Sequence, residues 1–364
     1  MDELSDVGVC DRRRFDWMDR RASVETVTTW LLTGGAGYIG PHIARSFLAS
    51  GRKIVVVDNL DNGFAENVPS DVPFVEANLR DGDTLEGVLR DHRVDGVVHL
   101  AALKAVGDSV EEPLRYYREN LDGMLTLLER MKLVGVRKLV FSSSAAVYGD
   151  VAVETVTEET PRQPTSPYGD TKLIGEWFMK AMHVAGDLDA VALRYFNVAG
   201  SGAPELGDRG VNNLVPMVFG ALEAGGLPKV FGGDWPTRDG SAIRDYIHVV
   251  DLAEAHLAAA ERLDALPLGE SFLRTYNVGT GEGSTVLEVM DAARRATGIS
   301  FEPDIVARRA GDPGRIVADP SAARRDLGWS AKYNVDDMVS SAWASWRHQR
   351  ASNARASNAR ASSA

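Results

Sequence analysis

The stretch Val27-Thr28-Thr29-Trp30-Leu31-Leu32-Thr33-Gly34-Gly35-Ala36-Gly37-Tyr38-Ile39-Gly40 decides how the rest of the chain is read. Val27 to Thr33 is apolar and β-prone, and it runs straight into glycines at 34, 37 and 40, a G-x-x-G-x-x-G spacing. Ile43, Phe47 and Leu48 then recur at helical spacing, with Pro41 in the first turn, where a missing N–H costs little. Lys53-Ile-Val-Val-Val-Asp58 is a second buried strand, closing on a carboxylate 18 positions after Gly40. Strand, glycine turn, helix, strand and terminal acid make a dinucleotide-binding fingerprint: the glycines admit a pyrophosphate to a helix N-terminus, and Asp58 can accept from a ribose hydroxyl. An acid at that place repels a 2′-phosphate, so the expected cofactor is NAD rather than NADP.

The alternation continues outward from this unit. Pro73–Glu76 reads as a short strand, Asp81–His92 as a helix, and Val94–Leu100 as a strand ending in the small residues Ala101 and Ala102. Glu111–Leu133 reads as one long helix, and Lys138–Ser143 as the central strand. Repeated strand and helix of this kind predicts an α/β fold with a doubly wound parallel Rossmann sheet, binding ligands at the strand C-termini. The expected organisation is an N-terminal tail (1–26), an NAD-binding domain (27–199), a stretch that mainly forms a smaller mixed α/β substrate lobe (200–349) and an unstructured tail (350–364). The last of these repeats Arg-Ala-Ser-Asn-Ala without large apolar residues.

At the tip of the central strand stand Ser142, Ser143 and Ser144, followed by Ala145-Ala146-Val147-Tyr148-Gly149. Downstream, Tyr168, Lys172, Glu176 and Lys180 lie four apart on one helical face. A hydroxyl at a strand end, with a Tyr and a Lys one turn apart, can move a proton to or from an alcohol. Phenol is a weak base with a pKa near ~10, and a nearby ammonium favours the phenolate. The topology places these groups on the same sheet edge as the glycine turn.

Composition narrows the function class. The 364 residues are 44% hydrophobic with a formal net charge of −12, which argues against binding to nucleic acid or an anionic membrane. Cys10 is the one cysteine, so neither a disulfide framework nor a thiolate metal site is expected, and no metal is assigned. No apolar run reaches the ~18 residues of a membrane span. Residues 1–26 lack the apolar stretch of a secretory signal, so a cytoplasmic location is expected.

Several runs in order resemble a known family. Thr33-Gly-Gly-Ala-Gly-Tyr-Ile-Gly40, His99-Leu-Ala-Ala-Leu-Lys-Ala-Val-Gly107, Ser142-Ser-Ser-Ala-Ala-Val-Tyr-Gly149, Ser166-Pro-Tyr-Gly-Asp-Thr-Lys172, Arg194-Tyr-Phe-Asn197 and Arg244-Asp-Tyr-Ile-His-Val249 are similar to the UDP-glucose 4-epimerase family. That family lies in the extended short-chain dehydrogenase/reductase superfamily. Tyr-x-x-x-Lys and the glycine turn mark only the superfamily; the other runs are more specific. The resemblance covers roughly residues 28–347. It implies a tightly held NAD, reduced and reoxidised within one turnover, and a UDP-sugar that passes through a 4-keto form.

The same resemblance implies site residues. Tyr168 would deprotonate the sugar 4-hydroxyl, Lys172 would hold the nicotinamide ribose and lower the Tyr168 pKa, and Ser144 would bond the reacting oxygen. The cofactor set would comprise Gly34, Gly37, Tyr38, Ile39 and Gly40, then Asp58 and Asn59, then Asn78 and Leu79. It would continue with Leu100, Ala101, Ala102 and Lys104, and with Asn120, Tyr168, Lys172 and Phe196. Asn197, Asn213, Phe231, Arg244, Arg309 and Asp312 would join Ser144 and Tyr168 in holding the substrate. A homodimer is implied, pairing the helices after Glu111 and around Tyr168. The chain departs from the family pattern in four places. Asn78 stands for an Asp facing the adenine, its amide oxygen still able to accept. Pro41 replaces a Ser, Leu100 and Ala102 vary the strand tip, and Ile316 occupies the place of a side chain that gates the sugar 2-substituent. A 4,6-dehydratase would need acids after position 144, where Ala145 and Ala146 stand. A 4-epimerase acting on UDP-N-acetylglucosamine or UDP-glucuronate, and a non-catalytic NAD-binding sensor, stay open as alternatives.

Overall fold

The computed structural model describes residues 27–361 apart from 211, 310 and 311, with side chains through Ser352. The expected tail at 1–26 lies outside the described residues. The first half of the sheet is built from β1 (Thr29–Thr33), α1 (Gly40–Ala49), β2 (Lys53–Asp58), β3 (Phe74–Glu76) and α2 (Gly82–Asp91). The second half begins with β4 (Gly96–His99), α3 (Val106–Glu111) and α4 (Pro113–Tyr117). A π-helical turn, Arg118–Asp122, leads into α5 (Gly123–Val134), followed by β5 (Lys138–Ser144), α6 (Pro167–Val184) and β6 (Asp189–Tyr195).

The long helix expected over Glu111–Leu133 runs without interruption from Pro113 to Val134, with the π turn inside it, so that only its start is displaced. Pro113 starts a new segment, because a proline ring cannot donate within a continuing helix, and the π turn adds a second offset. The offset has a use: it carries Asn120, which is buried against the ligand cleft.

The C-terminal part comprises β7 (Asn197–Ala199), α7 (Leu214–Glu223), β8 (Lys229–Phe231), β9 (Ile243–His248) and α8 (Val249–Asp264). Then come β10 (Leu273–Val278), β11 (Gly283–Thr285), α9 (Val286–Thr297), β12 (Asp304–Val306), β13 (Arg315–Ile316), α10 (Ser321–Leu327) and α11 (Val335–Ala361). The main sheet has the order β10-β6-β5-β4-β1-β2-β3, with every pairing parallel. β1 lies between β2 and β4, where the winding direction reverses, and a crevice opens there above the strand C-termini. Trp30, Ile43, Phe47 and Leu252 pack one face of the sheet and Leu31, Leu85, Leu127 and Leu139 the other, so its central strands are buried on both sides.

One expectation about organisation is refined and one corrected. β10 returns to the edge of the main sheet, and α8 packs beside α1 on its face, so residues 200–349, expected mainly as the smaller lobe, also supply parts of the main one. The Arg-Ala-Ser-Asn-Ala repeat continues α11 as helix to Ala361 rather than forming an unstructured tail. Alanine and arginine are strong helix formers, and a preformed helix extends more readily than a new one nucleates. Among the described residues no helix is long and apolar enough to cross a membrane.

Asp245, fully buried on β9, joins the main sheet to the smaller four-stranded one (β11-β9-β13, with β7 also on β9); β12 and β8 pair as a third, two-stranded sheet. One carboxylate oxygen accepts from Thr280 N (2.9 Å) and Thr280 Oγ1 (2.8 Å), and the other from Gly281 N (3.0 Å) and Ala318 N (3.1 Å). The first three donors lie just past β10 in the main sheet; the fourth lies just past β13 in the smaller one. An amide cannot replace this carboxylate, since its NH2 would face backbone N–H donors. Asp245→Asn is expected to cost about 1–3 kcal/mol, read as a lower urea midpoint with an unchanged slope.

Candidate active site

The glycine turn connects β1 to α1 at the crevice. Gly34 has a φ of +71°, and a Cβ there would lie 2.7 Å from the backbone of Ala101, so neither conformation nor space admits a side chain. Gly34 N donates to Val57 O (2.8 Å), while Leu100 N and Ala101 N both donate to Thr33 O (3.0 Å). These bonds lock the tips of β1, β2 and β4 at one level. The N-terminus of α1 carries no side-chain cap, which leaves the Ile39 and Gly40 N–H groups for an anion; Pro41 has none and His42 N donates to Ile39 O (3.1 Å). Asp58 ends β2 buried, with Oδ2 accepting from Ala36 N (3.0 Å) and Oδ1 from Leu60 N (2.8 Å). It thus shapes the turn as well as facing the cleft. Burial raises its pKa above the ordinary carboxylate value, and the two backbone hydrogen bonds pull it partly back.

The cleft above these tips has a volume of about 620 Å³. Among the residues expected to hold cofactor, Gly34, Gly37, Tyr38, Ile39, Gly40 and Asp58 line it. So do Asn59, Asn78, Leu79, Leu100, Ala101, Ala102, Lys104 and Asn120, and Tyr168 and Lys172 stand at the same cleft. Phe196 does not: it is buried beside Val147 and Tyr148. Asn120 reaches the cleft with its polar atoms already engaged. Its Oδ1 accepts from Leu103 N (2.8 Å), and its Nδ2 donates to Leu103 O and Thr171 Oγ1 (both 3.0 Å). It therefore ties the strand-tip loop to α6. Asn78 also departs from expectation: Oδ1 accepts from Arg80 N (3.0 Å) and Nε (3.2 Å), which leaves the NH2 to face a base. Tyr195 and Tyr116 line the cleft as well and were not expected there. Tyr195 ends β6 in register with Ser144, so its place follows from strand pairing, which periodicity within one segment does not reveal.

The groups expected to move the proton meet near the tip of β5. Ser166 caps α6 by accepting from Gly169 N (3.2 Å), and Pro167 occupies its first position. Tyr168 and Lys172, one turn apart, are both buried. Lys172 Nζ donates to Ser142 O (2.8 Å) and lies 5.0 Å from the Phe141 ring centre and 5.9 Å from that of Tyr168. Burial raises the Tyr168 phenol above its usual pKa, and a hydrogen bond with Ser144 lowers it in part. Burial also lowers the Lys172 ammonium to about 7. The ready ammonium expected beside the phenol is therefore only part-protonated at neutral pH. The two groups are coupled, since a phenolate raises the lysine pKa and an ammonium lowers that of the phenol. Among the described residues no group of three His, Cys, Asp or Glu could hold a metal ion.

The residues expected to hold substrate divide in two. Asn213 lines the cleft, its Nδ2 donating to Asp208 Oδ2 (2.5 Å). Phe231, Arg244, Arg309 and Asp312 gather elsewhere, on and after the smaller strands. The Arg309 guanidinium stacks 3.7 Å over the Phe231 ring, and Arg244 Nη2 lies 3.6 Å from Asp312 Oδ1. Asn197 opens β7 opposite Tyr246 of β9, beside Arg244 and Asp245. Arg308 stacks instead on Trp235 and pairs with Asp234.

Residues 30–279 match the profile of the NAD dependent epimerase/dehydratase family. The chain belongs to that family. It is 43% identical over 327 residues to the UDP-glucose 4-epimerase of Bacillus subtilis, covering 86% of this chain and 95% of that protein. A crystal structure of UDP-glucose-4-epimerase from Stenotrophomonas maltophila with bound NAD and formylated UDP-arabinopyranose superposes with a TM-score of 0.84 at 39% identity. It spans 90% of this chain and 99% of that one. The UDP-glucose 4-epimerase from Bifidobacterium longum in complex with NAD+ and UDP gives 0.80 at 39% identity, over 87% and 98%. The glycine cradle closed by Ala101, the uncapped start of α1 and the buried Asp58 fit the NAD on which this family depends.

An unpaired buried lysine should weaken the fold. With the folded-state pKa of Lys172 at about 7, below its unfolded value near ~10.4, the penalty is complete below the folded pKa and fades as pH rises towards the unfolded one. Lys172→Met is therefore expected to raise the chemical-denaturation midpoint at pH 6–7, by an amount on the order of a few kcal/mol. The gain should shrink steadily between pH 7 and pH 10. A constant difference across that range would show that Lys172 is not desolvated.

Proposed function

We infer that the protein is a UDP-glucose 4-epimerase, interconverting UDP-galactose and UDP-glucose on bound NAD. The observation that carries this reading is Tyr168 and Lys172 lining the NAD cleft, with Ser144 beside Tyr168 at the end of β5, in a chain about 40% identical to UDP-glucose 4-epimerases over most of its length. NAD supplies a reversible hydride acceptor when bound. Gly34, Gly37 and Gly40 with the start of α1 would take its pyrophosphate, Asp58 an adenosine ribose hydroxyl, and Asn78 the adenine through its NH2.

Ser144 would hold the sugar 4-oxygen while Tyr168 takes its proton and later returns it. Lys172 would bond a ribose hydroxyl and favour the phenolate. Arg244 and Arg309 suit a diphosphate, and Phe231 offers a flat apolar face for a base. Gripping the diphosphate leaves the sugar free to turn, which presenting both faces at C4 requires. The family also contains dehydratases. Ala145 and Ala146, in the 3-10 turn directly after Ser144, offer no acid for elimination, which favours epimerisation.

A homodimer extends the proposal. Met124, Leu128 and Met131 of α5 are buried within the chain, so they do not argue for it. Leu114, Leu125 and Trp177 stay 77%, 41% and 57% exposed, and α4, which carries Leu114, packs on α6, which carries Trp177. Light scattering at micromolar concentration should return twice the 39.4 kDa chain mass; a monomer would remove this extension. The single cysteine also suits a reducing cytoplasm.

Purified protein given UDP-galactose without added NAD is expected to form UDP-glucose with no net NADH. Tyr168→Phe should keep its fold and NAD yet lose about 10²- to 10⁴-fold in kcat. A rate near that of the parent would place the base elsewhere.

A further inference from the structure

One buried charge cluster next to the site takes no part in the chemistry above. Glu176 follows Lys172 by one turn of α6, and its carboxylate is held bidentately by Arg194 of β6: Nε to Oε1 at 2.8 Å and Nη2 to Oε2 at 2.6 Å. Their side chains are 8% and 1% exposed. Oε1 also accepts from Ser143 Oγ at 2.6 Å. The remaining guanidinium nitrogen, Nη1, donates to the Tyr148 hydroxyl (2.9 Å) and Glu158 O (3.2 Å), and Tyr148 in turn donates to Asn277 Oδ1 (2.6 Å).

Strand register explains the assembly. Ser143, Arg194 and Asn277 are directly paired neighbours across β5, β6 and β10, so one polar row crosses three strands a single residue below Ser144. A buried ion pair is weak ground for stability, because apolar residues of the same volume often do as well. Its geometric effect is less replaceable. α6 meets the tip of β5 through two side-chain bonds one turn apart: Lys172 Nζ to Ser142 O, and Ser143 Oγ to Glu176. On the reading of function given above, the Lys172 ammonium, with three donors, also serves a ligand hydroxyl, whereas the Ser143–Glu176 bond serves the protein alone.

We propose that Glu176 and Arg194 are positioning residues, a permanent pin that holds α6 in register with the tip of β5 while Lys172 serves its ligand. The pin keeps Tyr168 aligned with Ser144 through the cycle. A carboxylate is required because three donors converge on it, and an arginine because one guanidinium bridges α6, Tyr148 and the Glu158 carbonyl together.

The test uses the full chain with its bound NAD and four variants: Ser143→Ala, Glu176→Gln, these two combined, and the volume-matched Glu176→Met with Arg194→Met. The Met pair is expected to keep the parent's denaturation midpoint and NAD content but lose about 10²-fold in kcat, with KM for UDP-galactose within about threefold. Ser143→Ala should lose about tenfold, and adding Glu176→Gln to it should lose less than the product of the two single effects. Hydrogen exchange should quicken over Tyr168–Gly175 in the Met pair, a readout that needs no turnover. A folded Met pair with kcat within about twofold of the parent overturns the proposal. So do single losses that multiply, or exchange in α6 that is unchanged. A parent that leaves UDP-galactose untouched while α6 still loosens refutes the assigned substrate alone.

Discussion

The parallel pairing of β1 with both β2 and β4 is the constraint on which the rest of the structure depends. It reverses the winding at β1, opens the crevice above the strand tips and brings Gly34 against the backbone of Ala101. Every later placement inherits that level. Leu100 and Ala101 bond the end of β1, Asp58 receives the amide of Ala36, and the tip of β5 stands one strand away. The cleft is the space that these bonds leave between the strand ends and the helix start.

Around that cleft the chain concentrates burial that is costly to the fold. Lys172 sits within apolar surroundings near Phe141 with a backbone carbonyl as its hydrogen-bond partner, and Tyr168 is held neutral by the same burial. Neither arrangement favours stability. Both leave the proton between phenol and amine easily moved, because a change of charge on one is felt strongly by the other in a medium of low dielectric. The bonding capacity of the surrounding Asn120, Ser143, Glu176 and Arg194 is spent on protein partners. They hold the geometry, so that the groups with capacity to spare face the cleft.

The smaller sheet is joined to the main one by a carboxylate. Asp245 gathers the loop after β10 and the backbone after β13 onto β9, the strand that carries Arg244. The residues proposed to hold the diphosphate are thereby fixed relative to the cleft through one fully bonded side chain. This explains the acid in the Arg-Asp-Tyr-Ile-His-Val run, which would otherwise stand unexplained in a strand buried on both sides.

The sequence by itself determined the strand–glycine–helix unit, the acid at the end of β2, the parallel sheet and the Ser–Tyr–Lys set. Each is written in local periodicity, in turn chemistry or in a motif of short span, and each was legible for that reason. Tertiary structure alone decided what depends on residues far apart meeting. β10 rejoins the first sheet from beyond residue 270 because its pairing partner, β6, is distant in the chain. Tyr195 reaches the cleft through its register with Ser144, and the oxygen of Asn78 is taken by Arg80 rather than left free. The helix expected over Glu111–Leu133 carries a π turn where Asn120 faces inward, and the C-terminal repeat extends a helix already begun. Pairing register, desolvation and the prior claim of one hydrogen-bond partner over another are properties of the folded whole, and no single segment carries them.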